Sequence, residues 1–196
     1  IANWAQPIEL TTTANGLYLP AINDSSVFYK IDLGNDNEFL MLEHRRKTRW
    51  DAYIPGEGML IYHAQQNRLD RWLENQWNDI NVTPNNRGWY IVPATGNNGH
   101  TETANAPFPG TSGNSNFTNT TTPANTLMNG TPTNKPITSI QYQNDTVITF
   151  NFMSNLPAVS TGAVTSSTIT SISATGSGTI LYYGDSTISE RGAVWS

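Results

Sequence analysis

The histidines and carboxylates carry whatever acid, base or metal chemistry this chain could support. There are three of the former and fifteen of the latter, with no cysteine. Hydrolytic zinc is held by two imidazoles one helical turn apart, with a glutamate beside them to polarise the water, as in His-Glu-x-x-His. His44, His63 and His100 have no such spacing, and no glutamate follows any of them in register. His63 closes an apolar run, where a lone histidine is expected to be a hydrogen-bonded structural residue rather than a ligand. His100 lies among Gly and Asn and carries no signal. Glu38 and Glu43 fall on opposite faces of one strand-like run, and Asp51 and Glu57 lie in the loop beyond it. No two carboxylates therefore share a face at the separation acid–base catalysis needs. Calcium is the cofactor these residues leave open, because Asp70, Glu74, Asp79 and the Asn-rich loops offer hard oxygen donors, although no spacing matches a calcium loop. No catalytic or metal-ligating residue is assigned, and catalysis by this chain alone is not expected.

The elements that must position these groups centre on residues 38–63. Two apolar runs, 39–42 and 59–62, are expected to be central strands buried on both faces, since apolar side chains point both ways at their centres. Pro55-Gly56 and Gly58 are turn chemistry in the loop between them, and Trp50 and Tyr53 are expected to give that loop something large to bury. Glu43 shares a face with Arg45, and a carboxylate there must be paired or accept backbone hydrogen bonds. The basic cluster Arg45, Arg46, Lys47 and Arg49, flanked by Glu43 and Asp51, reads as a solvated loop.

The rest of the chain is arranged around that pair. Residues 8–12, 17–22 and 27–32 predict a β-meander, with Asn15-Gly16 as a tight hairpin turn. Leu69, Trp72, Leu73 and Trp77 recur at helical spacing, so a single short helix is expected over 69–77. A strand follows at 89–92. Residues 93–135 are rich in Asn, Thr, Gly and Pro, and so long a loop must be pinned; the expected pins are Pro107-Phe108-Pro109-Gly110, Phe117, Pro123 and Leu127-Met128. Runs at 137–142 and 147–153 form a closing hairpin. The fold class is therefore mostly β, an antiparallel sandwich-like domain with one short helix. Beyond residue 155 the runs 158–164, 171–183 and 188–195 alternate β-branched and small polar residues as a separate, incomplete β module. Trp72, Trp77, Trp89 and Tyr90 could form a sugar-stacking platform, but at helical spacing they are expected to be core.

Composition narrows the partners. The 196 residues carry a net charge of −5 and only 13 % charged residues, about half the usual share. Such an acidic chain is a poor match for nucleic acid, which requires a basic face. No apolar run reaches the ~18 residues that span a bilayer. The start at Ile1 has neither an initiator Met nor a signal-peptide pattern, so the chain is expected to begin inside a longer polypeptide.

The run Leu42-Glu43-His44-Arg45-Arg46-Lys47-Thr48-Arg49-Trp50-Asp51, followed by Ile54-Pro55-Gly56-Glu57-Gly58-Met59-Leu60-Ile61-Tyr62-His63, resembles the "LLENRQ-x-x-GWD…LPGxGLLIWHxD" segment of the immune inhibitor A-like (M6) secreted zinc metallopeptidases. Trp4, residues 7–11 and residues 16–22 are similar to that family's "GWLEPIELT…GxYTLPPI", and residues 107–138 to its "DPFPG…TSFTD…TPN…G…KPITNI". The likeness covers residues 1–154. It implies a zinc endopeptidase whose catalytic helix is encoded upstream, with this part as a β-rich support, a secreted or cell-surface location, and a protein substrate for the parent enzyme. Glu43, Arg45, Trp50, Asp51, Pro55, Gly56, Gly58 and His63 match the signature and are expected to be structural. Three positions depart from it: His44 stands where the family has Asn, Arg49 where it has Gly, and Gln65 where it has an acid. Residues 155–196 resemble the first half of an immunoglobulin- or fibronectin-like module. The alternative reading is a carbohydrate-binding or adhesive surface module.

Overall fold

A computed structural model describes residues 5–35, 37–75, 80–82, 87–96, 104–154, 158–162, 169–173 and 176–182. The chain divides into two compact units, Ile1–Met153 and Ser154–Ser196. The first is a sandwich-like arrangement of two open sheets. Strands β1 (Ile8–Glu9), β3 (Tyr29–Asp32), β4 (Glu38–Arg45), β5 (Gly58–Gln65) and β6 (Trp89–Ile91) form one sheet in that order; β2 (Ala14–Pro20), β8 (Val147–Phe152) and β7 (Ile137–Gln143) form the other. Among these pairs only β1 with β3 is parallel. The helix α1 (Gln66–Asn75) follows β5 without a break.

Alternation decides which side chains meet between the sheets. On one face of β4 and β5, Glu38, Leu40, Leu42 and His44 lie beside Met59, Ile61, His63 and Gln65, and all eight are buried. Leu19, Ile140, Ile148, Phe150 and Phe152 of the second sheet close that core, with Tyr29 edge-on to Phe150 at 5.4 Å. Burial of the central pair on both faces, as its apolar runs predict, forms only in part, at Phe39 and Ala64 on the second face. Met41, Glu43, Arg45, Leu60 and Tyr62 on the other face are only half-buried. There the apolar groups shelter one another: Trp89 packs on Phe39 at 6.3 Å and on Tyr62 at 5.3 Å, and the Lys30 ammonium lies 5.3 Å from the Phe39 ring centroid. Apolar residues on both sides of a strand show that both sides are sheltered, but not that a second layer shelters them.

The expected N-terminal meander is replaced by a split. β1 pairs with β3, while β2 crosses to the other sheet and pairs with β8. Asn15-Gly16 is inside β2 rather than at a turn, where the register slips between Ala14 and Leu17. Gly16 has φ +60 and its N–H donates to the Asn151 side chain at 2.8 Å. The positive φ that suits a hairpin turn suits a bulge equally well.

The long loop is held at the expected pins. Phe108 and Met59 exchange backbone hydrogen bonds of 2.7 and 2.8 Å, and Phe117 and Ile137 exchange bonds of 2.8 and 2.9 Å. Both phenylalanines are buried, with ring centroids 5.9 Å apart. Asn125, fully buried, donates its side-chain amide to the Lys135 carbonyl at 2.8 Å and accepts from the Thr133 hydroxyl at its backbone carbonyl at 3.2 Å.

The helix begins three residues earlier than its apolar spacing predicts, and that stripe is not core: Trp72 and Leu73 are exposed. Trp77 lies outside the described residues. In the second unit, β9 (Ala158–Thr161) pairs antiparallel with β10 (Gly178–Tyr182). The strand expected from residue 171 starts later, because Thr170 and Ser173 close a turn through hydroxyl and backbone bonds that leaves Ile172 exposed. The strand expected at 188–195 is outside the described residues.

Gly58, at the start of β5, has φ +140, and a Cβ there would lie 2.7 Å from the Phe108 carbonyl oxygen and 2.8 Å from the Pro107 Cβ. Gly58→Ala combines backbone strain with a collision against backbone, and should destabilise the domain by about 2–3 kcal/mol in urea unfolding.

Candidate functional site

Two polar networks sit on opposite faces of the β4–β5 pair. On the half-open face, strand alternation sets Glu43 and Arg45 on the same side as Tyr62. The Glu43 carboxylate accepts from the Arg45 Nε at 2.8 Å and from the Tyr62 hydroxyl at 2.7 Å. Arg45 extends its Nη1 to both oxygens of Asp51 at 3.0 Å, so one guanidinium ties the strand to the loop. Burial opposes the charge on Arg45, but Glu43 and Asp51 outweigh it and hold the guanidinium more firmly protonated than usual. Burial, followed by the neighbouring Glu43 carboxylate, pushes the Tyr62 hydroxyl above its ordinary range. Beside this network is an open groove of about 280 Å³, lined by Ile22, Phe28, Met41, Tyr62 and Trp89 together with Glu43 and Arg45.

On the core face, Glu38, His63 and Tyr90 form a chain. His63 Nε2 is 2.7 Å from Glu38 Oε2, and the Tyr90 hydroxyl is 2.9 Å from His63 Nδ1. The same Glu38 oxygen accepts from the Met128 amide at 2.8 Å, and Oε1 accepts from the Asn35 side chain at 3.0 Å. This sets the tautomer: a neutral imidazole gives its Nε2 proton to the carboxylate and takes the tyrosine proton at Nδ1. Carboxylate, imidazole and hydroxyl in a row resemble a nucleophile's relay in form. Tyr90 is pushed up to about 12 by burial and then by the Glu38 charge, and burial lowers His63 against the opposing pull of Glu38. The row joins strands β4, β5 and β6 to the loop at Met128.

The signature residues are thus distributed over several roles. Glu43, Arg45 and Asp51 come together, and Tyr62 completes their network. Its hydroxyl is a partner that apolar patterning gave no reason to single out. His63, expected to be a hydrogen-bonded structural residue, meets Glu38 and Tyr90, and the role of Glu38 was not foreseen because no second carboxylate shares its face. Trp50 and Tyr53 are the clear reversal: rather than anchoring the loop, they are 96 % and 98 % exposed. Pro55 is exposed too, while Gly56 packs so closely on the Ala104 carbonyl that a side chain would collide with it.

Each departure from the signature has a local account. His44 is fully buried, with Nδ1 3.2 Å from the Leu19 carbonyl and Nε2 buried without a partner, and burial drives it down to about 4 against that hydrogen bond. Gln65 donates its amide to the Arg87 carbonyl at 3.3 Å, which an ionised acid could not do. Arg49, at the signature's glycine position, has φ +53. Asp70 and Glu74 are exposed on α1, with Asp70 accepting from the Gln66 side chain at 2.7 Å, and Asp79 is outside the described residues. Among the described residues no group of three or more His, Asp or Glu side chains is placed to hold a metal ion, and no helix is long and apolar enough to cross a membrane.

Two measurements follow. Glu43→Ala strands the Tyr62 hydroxyl and half of the Arg45 fork, and should cost about 2–3 kcal/mol, whereas Glu57→Ala on the exposed loop should cost roughly 0.5 or less. His44 titrates lower in the folded chain than in the unfolded one, so the unfolded state takes up the proton first as pH falls. Its contribution is complete above pH ~6.5 and declines toward pH ~4, by about 3 kcal/mol in all. His44→Asn should flatten the pH dependence of the denaturant midpoint across that window.

The chain matches no family model, no curated protein and no solved structure, so its function must be read from these networks and from sequence likeness.

Proposed function

We propose that residues 1–154 are the non-catalytic, β-rich part of an immune inhibitor A-like secreted zinc endopeptidase, supporting a catalytic segment encoded upstream. The observation that carries this reading is the meeting of two distant stretches, each of which resembles that family. Gly56 and Gly58 of the Pro-Gly-x-Gly turn are pressed against Ala104, Pro107 and Phe108, which belong to or adjoin the Pro-Phe-Pro-Gly stretch, and Met59 pairs with Phe108 across the contact. Glycines spaced in this way serve a close approach of backbone to backbone, and the partner segment is itself part of the resemblance. Arg49 supports it independently: the family pattern has glycine where this chain has a positive φ, a conformation that costs a residue with a side chain about 1 kcal/mol or more. The Glu43–Arg45–Asp51 network supports a structural role for those three signature residues. The implied zinc belongs to the upstream segment, and the parent's substrate would be protein.

The purified chain should neither cleave casein nor keep zinc through dialysis, and reading the coding sequence upstream of Ile1 should reveal His-Glu-x-x-His. Stoichiometric zinc with chelator-sensitive cleavage, or an upstream sequence without that motif, overturns the reading. Arg49→Gly should stabilise the domain or leave it unchanged, within about 1 kcal/mol, as measured by thermal unfolding.

A further inference from the structure

The loop between β4 and β5 displays what a folded domain normally hides. Trp50 and Tyr53 are almost wholly exposed, three residues apart, on a turn that is firmly held. Arg45 grips Asp51; the Asn23 side chain donates to the Thr48 carbonyl at 2.9 Å; Arg49 donates to the Asn23 carbonyl at 3.0 Å and pairs with Asp24 at 3.2 Å; and the Lys47 amide donates to Glu57 at 3.0 Å. The backbone strain at Arg49, φ +53, is borne at the same place. None of these bonds uses either ring, so the loop is ordered without its aromatics. Ordering them for a partner would cost little.

Charge indicates which partner. The whole chain has ten Lys and Arg and a net charge of −5, yet four of those cations fall at positions 45, 46, 47 and 49. Arg45 is neutralised by Glu43 and Asp51 and Arg49 pairs with Asp24, leaving Arg46 and Lys47 beside the two rings in sequence, with Glu57 accepting from the Lys47 amide. Tryptophan and tyrosine favour the boundary between water and hydrocarbon, and clustered Lys and Arg are attracted to anionic headgroups.

We propose that the loop over residues 46–53 docks on an anionic lipid surface, with Trp50 and Tyr53 seated at headgroup depth and Arg46 and Lys47 against the lipid phosphates. This does not depend on the peptidase reading, and either can fail without the other. The test is co-sedimentation of the full chain with phosphatidylcholine vesicles containing about 30 % phosphatidylglycerol, and with phosphatidylcholine vesicles alone. Partitioning should favour the anionic vesicles and weaken as salt is raised. Trp50→Ser with Tyr53→Ser should lower it roughly tenfold or more, and Lys47→Gln should lower it on the anionic vesicles only. Thermal melts of both variants should overlay the wild type, because the substituted side chains are exposed. Absence of wild-type partitioning, or equal partitioning by the double serine variant, overturns the proposal. Trp50-dependent self-association without vesicle binding also overturns it, and assigns the loop to a protein contact.

Discussion

The antiparallel pairing of β4 with β5, eight residues against eight from Glu38 opposite Gln65 to Arg45 opposite Gly58, is the constraint on which the rest of the first unit depends. Once that register is set, side-chain alternation leaves no freedom over which groups go inward. Glu38, His44, His63 and Gln65 are carried into the core with the aliphatics, and a slip of one residue would bury Glu43 and Arg45 instead. The cost of burying polar groups is met by bonds that cross between elements: Glu38 to His63 and Met128, Tyr90 to His63, and Gln65 to the Arg87 carbonyl. Those bonds draw β6 and part of the long loop onto the pair. The polar groups of the core thereby specify the arrangement as much as the apolar ones stabilise it.

The opposite face follows a different logic. Its charged groups sit at the margin of solvent, where an isolated ion pair contributes little, but here one guanidinium joins two carboxylates and a phenol hydroxyl accompanies them. The network links a strand end to a loop, so its value is in fixing where the loop projects. The loop's own large side chains take no part. A rigid turn whose aromatics face solvent is better suited to contact than to folding, which distinguishes residues 46–53 from the loop at 104–135, where Phe108 and Phe117 are buried and the backbone joins the sheets.

Much of this was legible in the sequence. The central pair, the closing hairpin of β7 and β8 and the pins of the long loop followed from apolar runs and turn residues. These are local or compositional signals. What escaped notice depended on which partner a segment meets. Asn15-Gly16 requires a positive φ in a turn and in a bulge alike, so sequence alone could not show that β2 leaves its neighbours for β8. Trp72 has the spacing of a buried stripe and is exposed, because periodicity reports a shared side without reporting what lies against it.

The sequence by itself determined the mostly β character of the chain, the boundary near residue 154 as an expectation, and the absence of His-Glu-x-x-His from these residues; each depends on residue types and spacing within a few positions. Only the tertiary structure decided that Glu38 answers His63, that Tyr62 joins Glu43 and Arg45, and that Gly56 and Gly58 yield to a segment some fifty residues onward. It also decided that Trp50 and Tyr53 stand in solvent. A carboxylate or an aromatic ring has the same composition whether buried or bare, and its role is set by the atoms that the fold brings within hydrogen-bonding or van der Waals reach.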